Sequence, residues 1–245
     1  MPNLVLLRHG QSIWNKEGRF TGWMDIDLSE DGKEEAKKAG RLLNNSGYSF
    51  DVAYTSYLKR AIRTLWIVLD EMDLMWIPTI TSWRLNERFY GDLQGCSKKE
   101  VEKKYGIEQV HKWRRGYNDR PPALTIEDMR YPGHDFRYKV LKEDEIPRSE
   151  SLKDTMDRIL PIWRERIEPD LLKGKSVLIS SHGNTLRVLI KWIDGLSDEA
   201  IEKVEIPTAN PRIYQCKAGR NHVSLEIAYP LSEATAQRNA TTCRP

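Results

Sequence analysis

The stretch NLVLLRHG (residues 3–10) is a short apolar run that leads directly into a histidine turn. The stretch SVLISSHGN (residues 176–184) repeats this arrangement far along the chain. Apolar runs of this kind are typical of strands that are buried on both faces of a parallel sheet. A lone histidine after a strand is more often a hydrogen-bonded packing residue than a functional one. Two such turns with arginines nearby instead indicate phosphate chemistry, because imidazole can attack phosphorus and guanidinium groups can hold phosphoryl oxygens.

The composition indicates a globular domain without a polyanionic partner. At 245 residues, the chain fits one large α/β domain (1–245) better than two small ones. The 39 lysines and arginines nearly balance the 36 acidic residues, and a net charge of +3 does not point to nucleic acid or to a membrane surface. No apolar stretch approaches the roughly 20 residues of a membrane span, and the amino terminus lacks a secretory signal pattern.

The cysteines indicate a reducing compartment. Cys96, Cys216 and Cys243 are odd in number and lack metal-type spacing. This pattern argues against a disulfide framework and against a zinc site. We therefore expect a cytoplasmic protein without a metal site.

Strand and helix patterns alternate along the chain. The predicted strands are residues 3–7, 52–55 and 176–180. Ser29 is a suitable N-cap for a first helix, and a second helix is predicted to start near Ser56. A third helical pattern runs from Leu152, with a bend expected at Pro161. This alternation predicts an α/β fold with a mainly parallel sheet covered by helices.

Two regions depart from the alternation. Periodicity weakens at about 87–148, where Pro-Pro and Pro-Gly pairs and charged clusters predict a long, partly irregular excursion. Long loops in compact domains are often lids or binding segments. Residues 218–245 have no clear pattern and are expected to form a mobile tail.

Candidate functional side chains follow each of the three predicted strands. They are Arg8 and His9 after the first strand, Ser56, Lys59, Arg60 and Arg63 after the second, and His182 and Asn184 after the third. Parallel α/β sheets bind ligands beyond the carboxyl ends of their strands, so these groups meet if the strands are neighbours. The helix dipole disfavours a cation such as Arg60 in a first turn unless an anion binds there. For Lys59 and Arg63, a solvated helix face is an equally good explanation.

Two further segments carry groups that suit an anionic ligand. Glu87 lies between Arg84 and Arg88, and a carboxylate near a phosphate can move a proton to or from an oxygen. Taken alone, Glu87 is more simply explained by a surface salt bridge. Arg114 and Arg115 fall in a predicted loop, where paired guanidinium groups suit carboxylate or phosphate recognition. The aromatic residues beside them could stack on nucleic acid, but a single patch in a charge-balanced chain disfavours that alternative.

Taken in order, these motifs resemble those of the cofactor-dependent phosphoglycerate mutases of the histidine phosphatase superfamily. The matching stretches are LLRHGQSIWN (6–15), RFTGWMDIDL (19–28), YTSYLKRAIRT (54–64), WRLNERFYGDLQG (83–95), WRRGY (113–117), RYPGHDFRY (130–138), SESLKD (149–154) and SHGNTLR (181–187). The RHG triplet alone is weak evidence. The ordered series, which extends to about Tyr214, is much more specific.

The resemblance implies a three-layer α/β/α fold with a mostly parallel six-stranded sheet, and it implies roles for particular residues. His9 is implied to be the phosphorylated nucleophile, and Glu87 the proton donor and acceptor. Arg8, Arg60 and His182 are implied to bind the transferred phosphoryl group. The residues implied to assist or to bind the substrate are Ser12, Asn15, Thr21, Gly22, Tyr90, Lys98, Arg114, Arg115, Gly183 and Asn184.

The implied activity is the interconversion of 3-phosphoglycerate and 2-phosphoglycerate in glycolysis and gluconeogenesis. The reaction would pass through a phosphohistidine that is primed by 2,3-bisphosphoglycerate, and it would need no metal. Family members form dimers or tetramers, so we expect a homodimer or a homotetramer. Exposed apolar residues between Phe50 and Trp83 are candidates for the interface.

Some positions depart from the family pattern. Phe89 stands where the family generally has histidine, Asp92 replaces a small residue, and the sequence at 208–212 also differs. The segment 218–245 lacks the lysine-rich tail that helps to cover the site in relatives. We therefore expect more leakage hydrolysis of the phosphohistidine than in typical relatives, because poor closure admits water.

Three alternatives stay open at this point. A bisphosphoglycerate mutase or phosphatase would use the same chemistry; Ser12, Thr21 and Gly22 favour the monophosphate mutase, whereas Arg148 favours the bisphosphate enzyme. A broader phosphomonoesterase of the same superfamily would have less need of the cations in the excursion. A non-catalytic scaffold with this fold would not need both histidines together with Glu87.

Overall fold

The sheet brings together strands that are far apart in the sequence. The computed structural model describes residues 2–218 and 223–228. In this part of the chain, one sheet contains β1 (Asn3–Arg8), β2 (Val52–Thr55), β3 (Thr79–Thr81), β4 (Val177–Ser181), β5 (Arg212–Ala218) and β6 (Val223–Ile227). The strand order is β3–β2–β4–β1–β5–β6. Strands β1 to β4 are parallel, and β5 and β6 pair antiparallel, so the predicted α/β fold with a mostly parallel six-stranded sheet is confirmed.

The register aligns the carboxyl ends of three neighbouring strands. Strand β4 lies between β2 and β1, with Thr55 opposite Ser180 and Arg8 opposite Ser181. The residues that follow these strands therefore emerge side by side at one edge of the sheet. Strand order, which the sequence pattern alone could not provide, brings the three groups of candidate residues together.

Helices cover both faces of the sheet. They are α1 (Ile13–Lys16), α2 (Glu30–Asn45), α3 (Lys59–Glu71), α4 (Lys98–Tyr105), α5 (Ile107–Arg115), α6 (Leu152–Ile162), α7 (Glu168–Leu172), α8 (Gly183–Asp194) and α9 (Asp198–Glu202). Leu4 and Leu6 of β1 pack with α6 and α8, whereas Val5 and Leu7 pack with α2 and α3 on the opposite face. Successive strand side chains point to opposite faces, so burial of both faces explains the continuous apolar run.

The helix predictions hold with shifted details. Ser29 caps α2 by accepting a hydrogen bond from the backbone N–H of Gly32. The helix predicted from near Ser56 begins instead at Lys59. At Pro161 the helix does not stop; it continues into a wider, π-helical turn over Trp163–Ile167 before α7. The bend itself stays a prediction.

The excursion at 87–148 is more regular at its start than the sequence pattern indicates. Helices α4 and α5 form there, and short 3-10 turns follow. The prediction that Arg114 and Arg115 lie in a loop is wrong, because they form the last turn of α5 before Gly116. Phe89 is fully buried in an aromatic cluster with Trp23, which attaches the excursion to the rest of the domain.

The predicted tail contains a strand that the sequence pattern missed. Strand β6 lies within 218–245 and pairs with β5 at the sheet edge. Residues 219–222 and 229–245 of the predicted tail, including Cys243, lie outside the described residues. Within residues 2–218 and 223–228, no helix has both the length and the apolarity needed to span a membrane. Trp66, Met75 and Trp76 in the candidate interface region are exposed, and the oligomeric state stays a prediction.

Candidate active site

A cavity of about 240 Å³ lies at the carboxyl ends of β1 and β4, where parallel α/β sheets bind ligands. The predicted residues that line it are Arg8, His9, Asn15, Thr21, Gly22, Arg60, Glu87, Tyr90, Lys98, Arg114, Arg115, Gly183 and Asn184. The structure thus brings together residues from widely separated segments. Ser12 and His182 are buried and do not line the cavity. Seven lysine or arginine side chains and only two carboxylates line the described cavity, so it suits an anionic ligand.

The two histidines lie next to each other in the interior. Their ring centroids are 5.0 Å apart in an edge-to-face arrangement, and both side chains are buried. The backbone explains this proximity, because the His9 N–H donates to the carbonyl oxygen of Ser181, the residue before His182, at 2.9 Å. The parallel pairing of β1 with β4 therefore continues into the two histidine turns.

His9 is held as a neutral imidazole with a defined proton. Its Nδ1 lies 2.7 Å from the carbonyl oxygen of Gly10, which can only accept, so Nδ1 carries the proton. The Nε2 atom therefore has the free electron pair, and it accepts a hydrogen bond from Arg60 Nε at 3.3 Å. Burial, followed by the charges of Arg60 and Arg8, lowers the pKa of His9 well below 6.5. A neutral Nε2 is the form of imidazole that can attack phosphorus.

Arg60 is a buried cation in the first turn of α3. The side chain is 1% exposed, and it donates to the carbonyl oxygens of Met24 at 2.9 Å and Gly22 at 2.7 Å. Burial lowers the pKa of Arg60 to about 10, which leaves the group charged at neutral pH. Among the described residues no carboxylate forms an ion pair with Arg60, so that an anion at Arg60 stays a prediction.

Gly22 shapes the turn that Arg60 holds. Its backbone has φ +55°, and a Cβ atom there would lie 2.0 Å from Gln94 Oε1. Any other residue would be strained at this φ and would displace Gln94, which accepts from the backbone N–H of Trp23 at 2.7 Å. Next to this turn, the buried Thr21 hydroxyl lines the cavity and has no partner among the described residues.

Arg8 and Gly183 contribute further donors. Arg8 donates to the carbonyl oxygen of Ile206 at 2.7 Å, whereas its buried Nε has no partner in the described part of the chain. Gly183 is the first residue of α8, so its backbone N–H lacks an intrahelical acceptor. Such N–H groups at the positive end of a helix favour phosphate binding.

Glu87 points to the start of α8 and does not form a surface ion pair. Its Oε1 accepts from the backbone N–H of Arg88 at 2.9 Å and from that of Asn184 at 3.1 Å. The simpler alternative, a surface salt bridge, is wrong, because Glu87 is buried and its neighbour Arg84 pairs instead with Glu145 at 3.2 Å. Glu87 therefore presents a carboxylate to the same cavity as His9.

The excursion supplies further cations to the cavity. Lys98 is half-buried, and burial together with the charge of Arg114 lowers its pKa. Arg114 lies 3.7 Å from a carboxylate oxygen of Glu102, and Arg115 forms an ion pair with Glu205. These cations can receive a second anionic group, but carboxylates of the protein already neutralise two of them.

Tyr90 connects the excursion to α8. Its hydroxyl accepts from Asn184 Nδ2 at 2.9 Å, and the guanidinium carbon of Arg88 lies 4.6 Å from the ring centroid. Burial alone would raise the pKa of Tyr90, but the charge of Arg88 and the hydrogen bonds from Arg88 and Asn184 lower it. The phenol is therefore oriented and polarised at the cavity wall.

Ser12 and Arg63 do not line the cavity. Ser12 caps α1 by accepting from the backbone N–H of Asn15, while the Asn15 side chain accepts from the Ser12 N–H. Ser12 therefore positions Asn15 and does not itself face the cavity, contrary to the predicted direct contact. Arg63 pairs with Asp27 at 2.8 Å on the protein surface, which favours the solvated-face explanation for this residue.

Five of the described residues that line the cavity were not expected from the sequence. They are Arg19, Phe20, Arg187, Glu205 and Ile206. Arg187 lies one helical turn after Gly183, so helical spacing could have identified it. Glu205 and Ile206 come from a loop before β5, and no motif pointed to them. Within the described residues, no group of three or more His, Cys, Asp or Glu side chains could hold a metal ion.

The protein is thus an α/β protein whose two adjacent histidines, at the carboxyl edge of a mostly parallel sheet, suit phosphoryl transfer. Comparison with known proteins identifies the family. A sequence model of the histidine phosphatase superfamily (branch 1) matches residues 4–131 and 127–226. The chain belongs to this superfamily.

Solved structures share the fold. A mycobacterial glucosyl-3-phosphoglycerate phosphatase is 20% identical, with a TM-score of 0.70 over 95% of this chain and 100% of that chain. The protein YhfR of Bacillus stearothermophilus is 22% identical, with a TM-score of 0.71 over 95% of this chain and 98% of that chain. A protein described as mycobacterial hydrolase 1 is 18% identical, with a TM-score of 0.71 over 95% of this chain and 99% of that chain. At these identities, the similarity establishes the fold alone.

Proposed function

We propose that the protein is a phosphoglycerate mutase that interconverts 3-phosphoglycerate and 2-phosphoglycerate through a phosphohistidine at His9. The observation that carries the proposal is one small cavity that is lined by cations from two separate parts of the chain. Arg60 lies with His9 beyond the carboxyl ends of the strands, a group of residues that we call the transfer end, and Lys98 and Arg115 lie on the excursion, which we call the gripping end. A cavity of about 240 Å³ suits a small ligand with two anionic groups. The motif series of the phosphoglycerate mutases adds independent support.

In the proposed mechanism, His9 Nε2 attacks the phosphorus of 2,3-bisphosphoglycerate, the P–O bond breaks, and a phosphoglycerate leaves with a proton that Glu87 gives to its oxygen. Arg8 and Arg60 offset the charge on the equatorial oxygens during each transfer. Glu87 then takes the proton from the 2-hydroxyl of 3-phosphoglycerate as that oxygen accepts the phosphoryl group from His9. After the bound bisphosphate turns round, His9 takes the 3-phosphoryl group and Glu87 returns the proton to the 3-oxygen. The product is 2-phosphoglycerate, and His9 is again phosphorylated.

We extend the proposal to the primer, the compartment and the oligomeric state. 2,3-Bisphosphoglycerate primes His9, and no step calls for a metal. The protein acts in the cytoplasm on small phosphoglycerates, as a homodimer or a homotetramer.

Hydrolysis of phosphate esters is the second candidate. One observation favours it: carboxylates of the protein already pair with Arg114 and Arg115, which weakens the hold on a second anionic group. A phosphatase needs strong binding only at the transfer end, with water in place of the accepting hydroxyl. The name of the mycobacterial glucosyl-3-phosphoglycerate phosphatase, which has the same fold, is consistent with this candidate.

Three rates measured on one preparation test the assignment. They are the isomerisation of 3-phosphoglycerate with and without added 2,3-bisphosphoglycerate, phosphate release from 2,3-bisphosphoglycerate, and hydrolysis of p-nitrophenyl phosphate. We expect isomerisation to be fastest and to depend on the added bisphosphate. Phosphate release that exceeds isomerisation would overturn the mutase assignment in favour of a phosphatase.

A further inference from the structure

A buried hydrogen-bond chain links the start of α3 to the second histidine. Ser56, the residue after β2, is fully buried, and its Oγ lies 2.8 Å from His182 Nε2. The same Oγ accepts a hydrogen bond from the backbone N–H of Leu58 at 3.1 Å. The mechanism above gives Ser56 no role.

The hydrogen-bonding requirements of Ser56 and His182 decide which ring nitrogen of His182 carries its proton. His182 is fully buried, and burial followed by the charge of Arg60 lowers its pKa well below 6.5, so the ring is neutral and carries one proton. If that proton were on Nε2, it would point at Ser56 Oγ, which already accepts from Leu58. The Ser56 hydroxyl would then need another acceptor, and none lies within hydrogen-bonding distance among residues 2–218 and 223–228. The satisfied arrangement has Ser56 donating to Nε2.

The other ring nitrogen of His182, Nδ1, is then a hydrogen-bond donor. With Nε2 accepting from Ser56, the proton of His182 lies on Nδ1. Nδ1 is buried and has no partner in the described part of the chain. A buried N–H without a partner is uncommon unless a ligand or water completes it. His182 does not itself line the cavity, but its ring centroid lies 5.0 Å from that of His9, which does line it and on which the phosphoryl group would be carried.

We propose that Ser56 is a positioning residue that holds His182 in the Nδ1–H tautomer, so that this ring can donate a hydrogen bond to the transferred phosphoryl group. The opposite tautomer would present an electron pair to an anion and would repel it. Ser56 therefore acts through His182 and does not touch the substrate. This role applies to any phosphoryl transfer at His9, by a mutase or by a phosphatase, so it does not depend on the proposed substrate.

The main test reads the tautomer directly. In protein labelled with ¹⁵N in the histidine rings, we expect the His182 Nδ1 signal to be that of a protonated nitrogen and the Nε2 signal that of an unprotonated one. Addition of inorganic phosphate should shift the Nδ1–H proton. A proton on Nε2 in the parental protein would overturn the proposal, whether or not the protein proves to be a mutase.

Substitutions separate this role from simple support of the backbone before α3, where Ser56 accepts from the N–H of Leu58. In Ser56→Ala we expect a mixed His182 tautomer, and kcat lower by about tenfold, with KM changed less than about twofold. Ser56→Thr keeps a hydroxyl and should retain the parental tautomer and a kcat within about twofold of the parent. The rate is that of whichever activity the three-rate assay finds to be fastest. A Ser56→Ala protein that loses activity while its tautomer stays parental would show a structural role only, and full activity would also refute the proposal. If neither variant folds, the spectrum of the parental protein decides.

Discussion

The two groups of residues at the cavity, the transfer end and the gripping end, are built differently. At the transfer end, His9, His182 and Arg60 are at most 2% exposed, and they lie at or just beyond the ends of neighbouring parallel strands. At the gripping end, Arg114 and Arg115 lie on a short helix of the excursion and are only half-buried. Arg60 has no ion-pair partner among the described residues, whereas Arg114 and Arg115 lie near protein carboxylates.

This difference indicates which part of the site has a fixed geometry and which part can vary. Register and burial fix the transfer end, so its charges are oriented before a ligand arrives. The gripping end is held by exposed ion pairs that contribute little to stability. We infer that the chemistry resides in the sheet edge, and that the choice among phosphate esters resides in the excursion and in the loop that carries Glu205.

The largest effect is expected from His9→Ala. Without Nε2 no phosphoryl group can be carried, so every transfer activity should fall by at least about 10⁴-fold. The measurement is the three-rate assay. His134→Ala, which alters an exposed histidine, is the matched control and should keep all three rates. Residual isomerisation at the parental rate in His9→Ala would refute the nucleophile assignment.

Burial of the two histidines predicts an acid sensitivity of folding. Both have a lowered pKa in the folded protein, so below pH 6.5 the unfolded chain binds more protons than the folded one. The free energy of unfolding should therefore be at its full value above that pH and should fall as the pH drops below it. The slope should reach about 1.4 kcal/mol per pH unit for each histidine.

Urea unfolding at pH 7.5, 6.5 and 5.5 measures this slope. His9→Asn should retain only about half of the decrease between pH 6.5 and 5.5. A flat profile in the parental protein would contradict the burial of neutral imidazoles at the transfer end.

At the gripping end, Arg115→Met should separate the two ends kinetically. Loss of one charged hydrogen-bond donor should raise KM for 3-phosphoglycerate by about tenfold, because such bonds contribute about 1.5–3 kcal/mol. Hydrolysis of p-nitrophenyl phosphate, which has no second anionic group, should change less than about twofold. An equal loss for both substrates would mean that Arg115 supports the transfer end after all.

The smallest effect is expected from Glu205→Gln. Here the direction of the change in KM is more informative than its size. Glu205 pairs with Arg115 at the cavity, so we expect it to compete with the second anionic group of a ligand. Because this carboxylate is 72% exposed, its removal should lower KM for 3-phosphoglycerate by only about two- to fivefold. Glu202→Gln, an exposed acid on α9 that does not line the cavity, serves as the control. An unchanged or raised KM in Glu205→Gln would show that the pair supports Arg115 and does not compete with the ligand.

Sequence reasoning served the transfer end better than the gripping end, for a physical reason. A buried parallel strand has a clear apolar signature, and the residue after it lies at the ligand-binding edge, so His9 and His182 could be located from their strands. Arg114 and Arg115 could be selected as anion-binding residues, but their helix was missed, because a short charged helix has weak periodicity. Glu205 reaches the cavity only through tertiary packing, and no local pattern indicates such an approach.

The central claim is that His9 carries the phosphoryl group between two positions of one small substrate. The most direct measurement is to incubate the protein with ³²P-labelled 2,3-bisphosphoglycerate, to quench it in alkali and to locate the label by peptide mapping. We predict an acid-labile, alkali-stable phosphoryl group on His9 that unlabelled 3-phosphoglycerate chases into 2-phosphoglycerate and 2,3-bisphosphoglycerate. Absence of label, label on another residue, or release only as inorganic phosphate would contradict the account.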